Sequence, residues 1–221
     1  MKPILICFLL LTGLTAESQI RFSVRTDLSL AHNFSPDQQF WAIGQTFQGD
    51  FHFSKKETGY IWFNYYRNGK FRNDVTAEAK SPQTTPSTYT YPLQSRWQGT
   101  EFSVGWRHYF KGSFDEEITW SLYGLGGLGV SVFRVENNIM TTMDTSLYDL
   151  PPPTVGKGQF RRLILDLGVG AEYPASGNIY LYGDIRTWLP ASDYPSSYMY
   201  SNKNVPLLFS LSGGIKILFG D

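Results

Sequence analysis

Three observations predict an all-β chain folded as an eight-stranded antiparallel up-and-down transmembrane β-barrel. Eight segments alternate apolar with polar residues at period two. The connections between them alternate between short and long, as in barrels whose tight turns all lie at one end. Beyond residue 18 no apolar run reaches the roughly 20 residues a membrane helix needs, so any membrane crossing must be made by strands.

Residues 1–18 carry Lys2, an apolar run from Ile4 to Leu14 and the small-x-small site Ala16-Glu17-Ser18. That is the pattern of a signal peptide, leaving residues 19–221 as one outer-membrane barrel domain. Cys7, the sole cysteine, falls inside the leader, so disulfides, thiol catalysis and Cys-ligated zinc are not expected in the mature chain. Of the 221 residues, 16% are aromatic and only 17% charged. The charged share is below the roughly 25% of an ordinary soluble domain. A formal net charge of zero leaves no footprint for nucleic acid.

The first strand is expected at residues 20–31, where Phe22, Val24, Leu28 and Leu30 alternate with Arg21, Ser23, Arg25, Asp27 and Ser29. The second, 39–53, sets Trp41, Ile43, Phe47, Phe51 and Phe53 against Thr46, Gln48, Asp50 and His52; the third, 58–69, sets Ile61, Phe63 and Tyr65 against Tyr60, Trp62, Asn64 and Tyr66. Residues 70–95, with Pro82, Pro86 and Pro92, read as a long loop. The fourth strand, 96–110, and the fifth, 117–135, flank a short KGSFDE turn; residues 136–158, with three consecutive prolines, read as a second long loop. The hairpin over 160–190 supplies strands six and seven. Closing its PASGN loop on Tyr173 and Ile179 would set Asp166 opposite Arg186 and Gly170 opposite Tyr182. A third long loop, rich in tyrosine (Tyr194, Tyr198, Tyr200), precedes a closing strand at 206–219.

The polar side collects six cations (Arg21, Arg25, Arg107, Arg162, Arg186, Lys216) and six acids (Asp27, Asp50, Glu101, Asp166, Glu172, Asp184), whereas the apolar side carries no acid along its strands. An Arg or Lys facing lipid at mid-membrane costs about 2–4 kcal/mol. The charges are therefore assigned to a side-chain-filled lumen and the leucines to lipid. Phe53, Phe110, Trp120, Tyr173 and Phe219 are assigned to an aromatic girdle at the turn end.

On its eight alternating strands, the asymmetry of its connections and the closing segment LLFSLSGGIKILF, the chain resembles the OmpA/OmpX-like small outer-membrane barrels, including the short versions frequent in Bacteroidetes. The resemblance implies a bacterial outer-membrane location and a structural or loop-mediated surface role. It also implies outer-membrane lipid, lipopolysaccharide and the barrel assembly machinery as partners, with a protein partner at the loops. Gly220 and Asp221 follow Phe219, where family members usually end on the aromatic. Neither catalysis, a cofactor nor a bound metal is expected. Arg67, Arg134 and Arg161, outward by parity at the loop end, are candidate contacts for lipopolysaccharide phosphates.

Three alternatives compete with this reading. A lipid A modifying enzyme would rest on His32 with Ser35 and Asp37; a narrow channel, on the lumen charges; a secreted lipocalin-like barrel, on turning the apolar side inward. The match to GxGxxG at 124–129 runs into VSVFRV, which continues a strand where a dinucleotide site needs a helix.

Overall fold

The computed structural model describes residues 21–191, 197–199 and 208–220. The predicted leader and Tyr194 and Tyr200 of the third loop lie outside those residues. Nine strands form one antiparallel sheet: β1 (Arg21–Asn33), β2 (Phe40–His52), β3 (Glu57–Ala79), β4 (Thr88–Lys111), β5 (Ser121–Ile139), β6 (Tyr148–Asp149), β7 (Gly156–Ser176), β8 (Ile179–Pro190) and β9 (Leu208–Phe219). β1 pairs with β9, and β2 with β3, so eight strands close into a ring; the two-residue β6 adds only to the far end of β3. No helix among the described residues is long and apolar enough to cross a membrane.

The ring is staggered. Following paired residues from Arg162 through Ser131, Glu101, Asn64, Thr46, Asp27, Gly214 and Tyr182 returns the path to β7 at Glu172, ten residues further along. That stagger tilts the strands, and an eight-stranded ring of this kind is just wide enough for side chains to fill. Period-two alternation then places every second side chain inside. Arg25, Trp62, Glu101, Arg107, Tyr109, Tyr123 and Lys216 are fully buried, while Leu28, Ile43, Leu163, Ile185 and Leu211 stand exposed on the outer wall.

The expected girdle is present, with Phe53, Phe110, Trp120, Tyr173 and Phe219 all exposed at the turn end. Phe219 stacks on Phe22 at 4.9 Å, Phe53 on Trp106 at 5.0 Å, and the Lys111 ammonium lies 4.1 Å from the Trp120 ring centre.

The structure corrects the two expected long loops. β3 runs on to Ala79 and β4 begins at Thr88, so most of residues 70–95 are a paired hairpin rather than a loop. β5 likewise starts at Ser121 and continues to Ile139, and β7 starts at Gly156, which shortens the loop read over 136–158. A bulge explains the first error. Between Tyr66 and Gly69 the β3–β4 register shifts, with Asn68 at φ 64°, so that Arg67 and Asn68 are both exposed and the inward phase passes to Gly69, Phe71, Val75 and Ala77. A reading at constant phase loses the strand there. Above the ring, Val75, Ala77, Tyr91, Leu93 and Tyr148 form a second small core, packed by Met143, Leu150 and Val155 of the β5–β7 connection. In that connection the Ser146 hydroxyl and backbone N–H both donate to Asp144 and hold its carboxyl below the usual range.

The β7–β8 register is also corrected. The turn is two residues, Gly177-Asn178, with Gly177 at φ 51°, and an irregularity between Pro174 and Ser176 takes up the remaining length. Asp166 therefore faces Trp188, Gly168 faces Arg186, Gly170 faces Asp184 and Glu172 faces Tyr182. The shift of two residues preserves which side of the strand each group occupies.

Candidate functional site: a charged lumen and a cationic outer rim

Lumen packing begins at the turn end. The β4–β5 turn folds Phe114 into the mouth, where its ring stacks on His52 at 4.0 Å, its N–H donates to the Lys55 carbonyl (3.2 Å) and its own carbonyl accepts from Lys216 Nζ (2.6 Å). Above it lies an ion-pair knot drawn from five strands, β1, β2, β4, β7 and β9. Asp50 accepts from Arg25 Nε (2.5 Å), Arg107 Nη1 (2.9 Å) and Gln48 (2.5 Å). Glu172 accepts from Arg25, from Lys216 and from the Tyr109 hydroxyl (2.7 Å). The Arg107 guanidinium lies 4.5 Å from the Tyr123 ring centre and that of Arg25 lies 4.9 Å from Tyr182, so the aromatic faces complete the packing of both cations.

A second group sits around Arg186, which pairs with Asp166 (3.2 Å) and Asp184 (2.9 Å) and donates to Gln48 (2.8 Å). The expected Asp166–Arg186 contact thus exists, but on the diagonal rather than directly across. The ring covering Gly170 belongs to Tyr123 of β5, whose hydroxyl donates to Asp184, and not to Tyr182, whose hydroxyl donates to Asp27 (2.7 Å). Tyr60 and Ser103 also donate to Asp166, each at 2.9 Å. Toward the loop end the lumen becomes aromatic: Trp62 packs on Trp188, and Trp97 on Phe40 and Phe133. The glycines at 124–129 lie within β5, and a Cβ on Gly127 would meet the Tyr60 hydroxyl at 2.5 Å, which accounts for a glycine there without a nucleotide.

Of the twelve predicted lumen charges, eleven are buried: Arg25, Asp27, Asp50, Glu101, Arg107, Arg162, Asp166, Glu172, Asp184, Arg186 and Lys216. Arg21 is the exception. It pairs with Asp115 of the β4–β5 turn (3.3 Å) at the partly exposed mouth. Sequence parity set Tyr109 and Tyr123 on the polar side of their strands, where the structure buries them, without giving them a role, and it missed Phe114. Nothing in a turn marks a phenylalanine as a stopper.

On the outside, Arg67, Arg134 and Arg161 are all exposed, as expected. Arg67 lies against Tyr65, its Nε donating to the hydroxyl at 2.9 Å. Arg134 and Arg161 are close in register, Arg134 opposite Gln159 and Arg161 opposite Val132. The extended hairpin adds cations that were read as loop. Lys70 and Arg96 are direct register partners, Arg72 is the next outward residue on β3, and Lys157 stands on β7. Arg96, Arg134, Glu136 and Lys157 line an open groove of about 470 Å³, in which Lys157 and Glu136 approach at 3.7 Å. Like charges directly opposite on one face are destabilising unless something compensates them.

The other half of the rim is aromatic. His32 lies 4.2 Å from both Phe34 and Trp41, and Phe34 packs on Phe209 at 5.5 Å. The His32 Nδ1–H donates to the Phe40 carbonyl (2.9 Å) rather than to Ser35 or Asp37. Among the described residues, no group of three or more His, Cys, Asp or Glu could hold a metal ion.

No protein-family model matches the chain, and no curated protein matches it in sequence. Solved structures do share its fold. Neisserial surface protein A superposes with a TM-score of 0.55 at 13% identity, over 90% of this chain and 97% of that one. A major outer membrane protein from Thermus thermophilus gives 0.54 at 11% identity, over 91% of this chain and 100% of that one. Ail, the attachment invasion locus protein of Yersinia pestis, solved in complex with the heparin analogue sucrose octasulfate, gives 0.51 at 10% identity, over 91% of this chain and 100% of that one. The fold is that of the small bacterial outer-membrane β-barrels.

Proposed function

We propose that the protein is an integral barrel of the bacterial outer membrane, of the OmpA/OmpX-like and Bacteroidetes type, whose work is done on its outer rim and loops and not through its lumen. The observation that carries this reading is the division of polar groups. Inside, Arg25, Arg107, Arg186 and Lys216 pair with Asp50, Asp166, Glu172 and Asp184 between Phe114 at one end and stacked aromatics at the other, while seven exposed cations (Arg67, Lys70, Arg72, Arg96, Arg134, Lys157, Arg161) gather on β3, β4, β5 and β7. The apolar outer wall and its girdle support the membrane location. The exposed arc suits phosphate, because guanidinium groups bind it bidentately and the cations crowd one another without it.

The partner proposed for the arc is lipopolysaccharide of the outer leaflet, with the taller β3–β4 wall left to meet a protein at the cell surface. The closing strand, Leu208–Phe219, is the segment offered to the barrel assembly machinery. A catalytic role is not proposed, since the His32 ring is committed to aromatic packing and a carbonyl. A sulfated surface glycan is a second reading of the arc, favoured by the heparin analogue in the Ail complex.

Replacing Arg67, Arg134 and Arg161 together by alanine is expected to reduce the lipopolysaccharide phosphate that copurifies with the barrel several-fold while leaving heat-modifiable gel mobility intact; unchanged retention would overturn the assignment. In planar bilayers the intact barrel is expected to show no conductance above background. Steady single-channel currents would favour a narrow channel.

A further inference from the structure

We propose that the lumen holds one small monovalent cation beside Glu101, in a nest of oxygen atoms contributed by β3, β4, β5 and β7. Charge balance is the first observation. With Arg21 drawn off to Asp115, the buried interior contains, among the described residues, six carboxylates (Asp27, Asp50, Glu101, Asp166, Glu172, Asp184) against five cations (Arg25, Arg107, Arg162, Arg186, Lys216). His52 does not alter the local balance. It lies at the turn end, hydrogen-bonded to the Ser23 and Thr58 hydroxyls and stacked on Phe114.

The second observation locates the excess. Glu101 is 0% exposed, and neither of its carboxylate oxygens accepts a hydrogen bond from the described residues. Its register partner on β5, Ser131, is equally buried with an unpartnered Oγ. Its register partner on β3, Asn64, spends both amide hydrogen bonds on Ser29 and Thr46 and leaves Oδ1 without a donor. Asp166, bound through Oδ2 to Ser103 two residues along β4 from Glu101 and also to Tyr60 and Arg186, leaves Oδ1 unpartnered. Arg186 is already shared between Asp166 and Asp184.

Asn64, Glu101 and Ser131 thus stand side by side on β3, β4 and β5 with unpartnered oxygens, and Asp166 of β7 adds another through its contact with Ser103, in a setting where an unpaired charge is expensive. A water molecule would supply two donors and leave the charge, and a proton on Glu101 would remove the charge but bring a single donor to the facing oxygens. A monovalent ion supplies the missing charge and takes oxygen ligands. Among the described residues the excess is a single negative charge, which suits a monovalent ion.

The test uses the full mature chain, folded into detergent micelles in sodium, potassium or N-methyl-D-glucamine chloride at equal ionic strength. Saturable binding to the folded state raises the unfolding midpoint as ion concentration rises. The expected result is a higher midpoint by heat-modifiable mobility in sodium or potassium than in the organic cation, which is too large for the nest, and loss of that difference in Glu101→Gln. Should Glu101→Gln fail to fold, Ser131→Ala is expected to weaken the response several-fold. Crystals grown in rubidium are expected to show one anomalous peak beside Glu101. Equal midpoints of the wild-type barrel in all three salts, an undiminished response in the variants, or absence of that peak would overturn the proposal.

Discussion

Glu172 and Glu101 are two glutamates of almost equal burial in one lumen, and they stand in opposite circumstances. Glu172 faces Arg25, Lys216 and a tyrosine hydroxyl, with Arg107 3.9 Å away. Glu101 faces hydroxyl, amide and carboxylate oxygens. The difference arises from position around the ring. Glu172 lies where β1, β4 and β9 aim Arg25, Arg107 and Lys216 at a common point. The row through Glu101 meets asparagine on one side and serine on the other. Burial by itself therefore does not make a carboxylate stabilising; its surroundings set the sign.

The largest expected effect tests the paired side of this comparison. Replacing Arg25 by alanine strips a cation from Asp50 and Glu172 together and leaves both buried. It is expected to destabilise the folded barrel by about 3–5 kcal/mol, read from urea unfolding in micelles. A cost below about 1 kcal/mol would mean that the knot is hydrated and its pairs are weak.

Next in size is a probe of how tightly the knot is packed. A Cβ on Gly170 would lie 2.2 Å from Asp184 Oδ1 and 2.6 Å from the Tyr123 ring. Gly170→Ala is thus expected to cost about 1–3 kcal/mol by the same measurement. A neutral result would show that Tyr123 and Asp184 can both move aside.

The smallest effect falls on the unpaired side. With only the large organic cation present, Glu101→Gln is expected to leave the unfolding midpoint unchanged or higher, because it removes a charge that nothing compensates. A clear loss of stability in that salt would place Glu101 in the same class as Glu172 and erase the contrast.

Much of this was legible in the chain. Leu163, Val169 and Tyr173 read as one side of a strand and Arg162, Asp166 and Glu172 as the other, and the structure places them so, with the first set exposed and the second buried. Strand ends were less legible where a local irregularity broke the phase, as at Arg67-Asn68, and this hid Lys70, Arg72 and Arg96 from the cationic rim. The hairpin register failed for a related reason. The irregularity between Pro174 and Ser176 moved the pairing by two residues, and an alternating pattern looks the same after a shift of two.

The sequence by itself determined the fold class, the two faces of each strand and the end at which the turns lie. Each follows from side chains alternating along an extended backbone, a property of single segments. Only closure of the ring decided which charges meet. Arg25 reaches Glu172 across 147 positions of sequence, and Tyr60 reaches Asp166 across 106, because the stagger of eight tilted strands brings their inner faces to the same height. The isolation of Glu101 has the same origin, since a partner across a lumen is chosen by the geometry of the whole barrel.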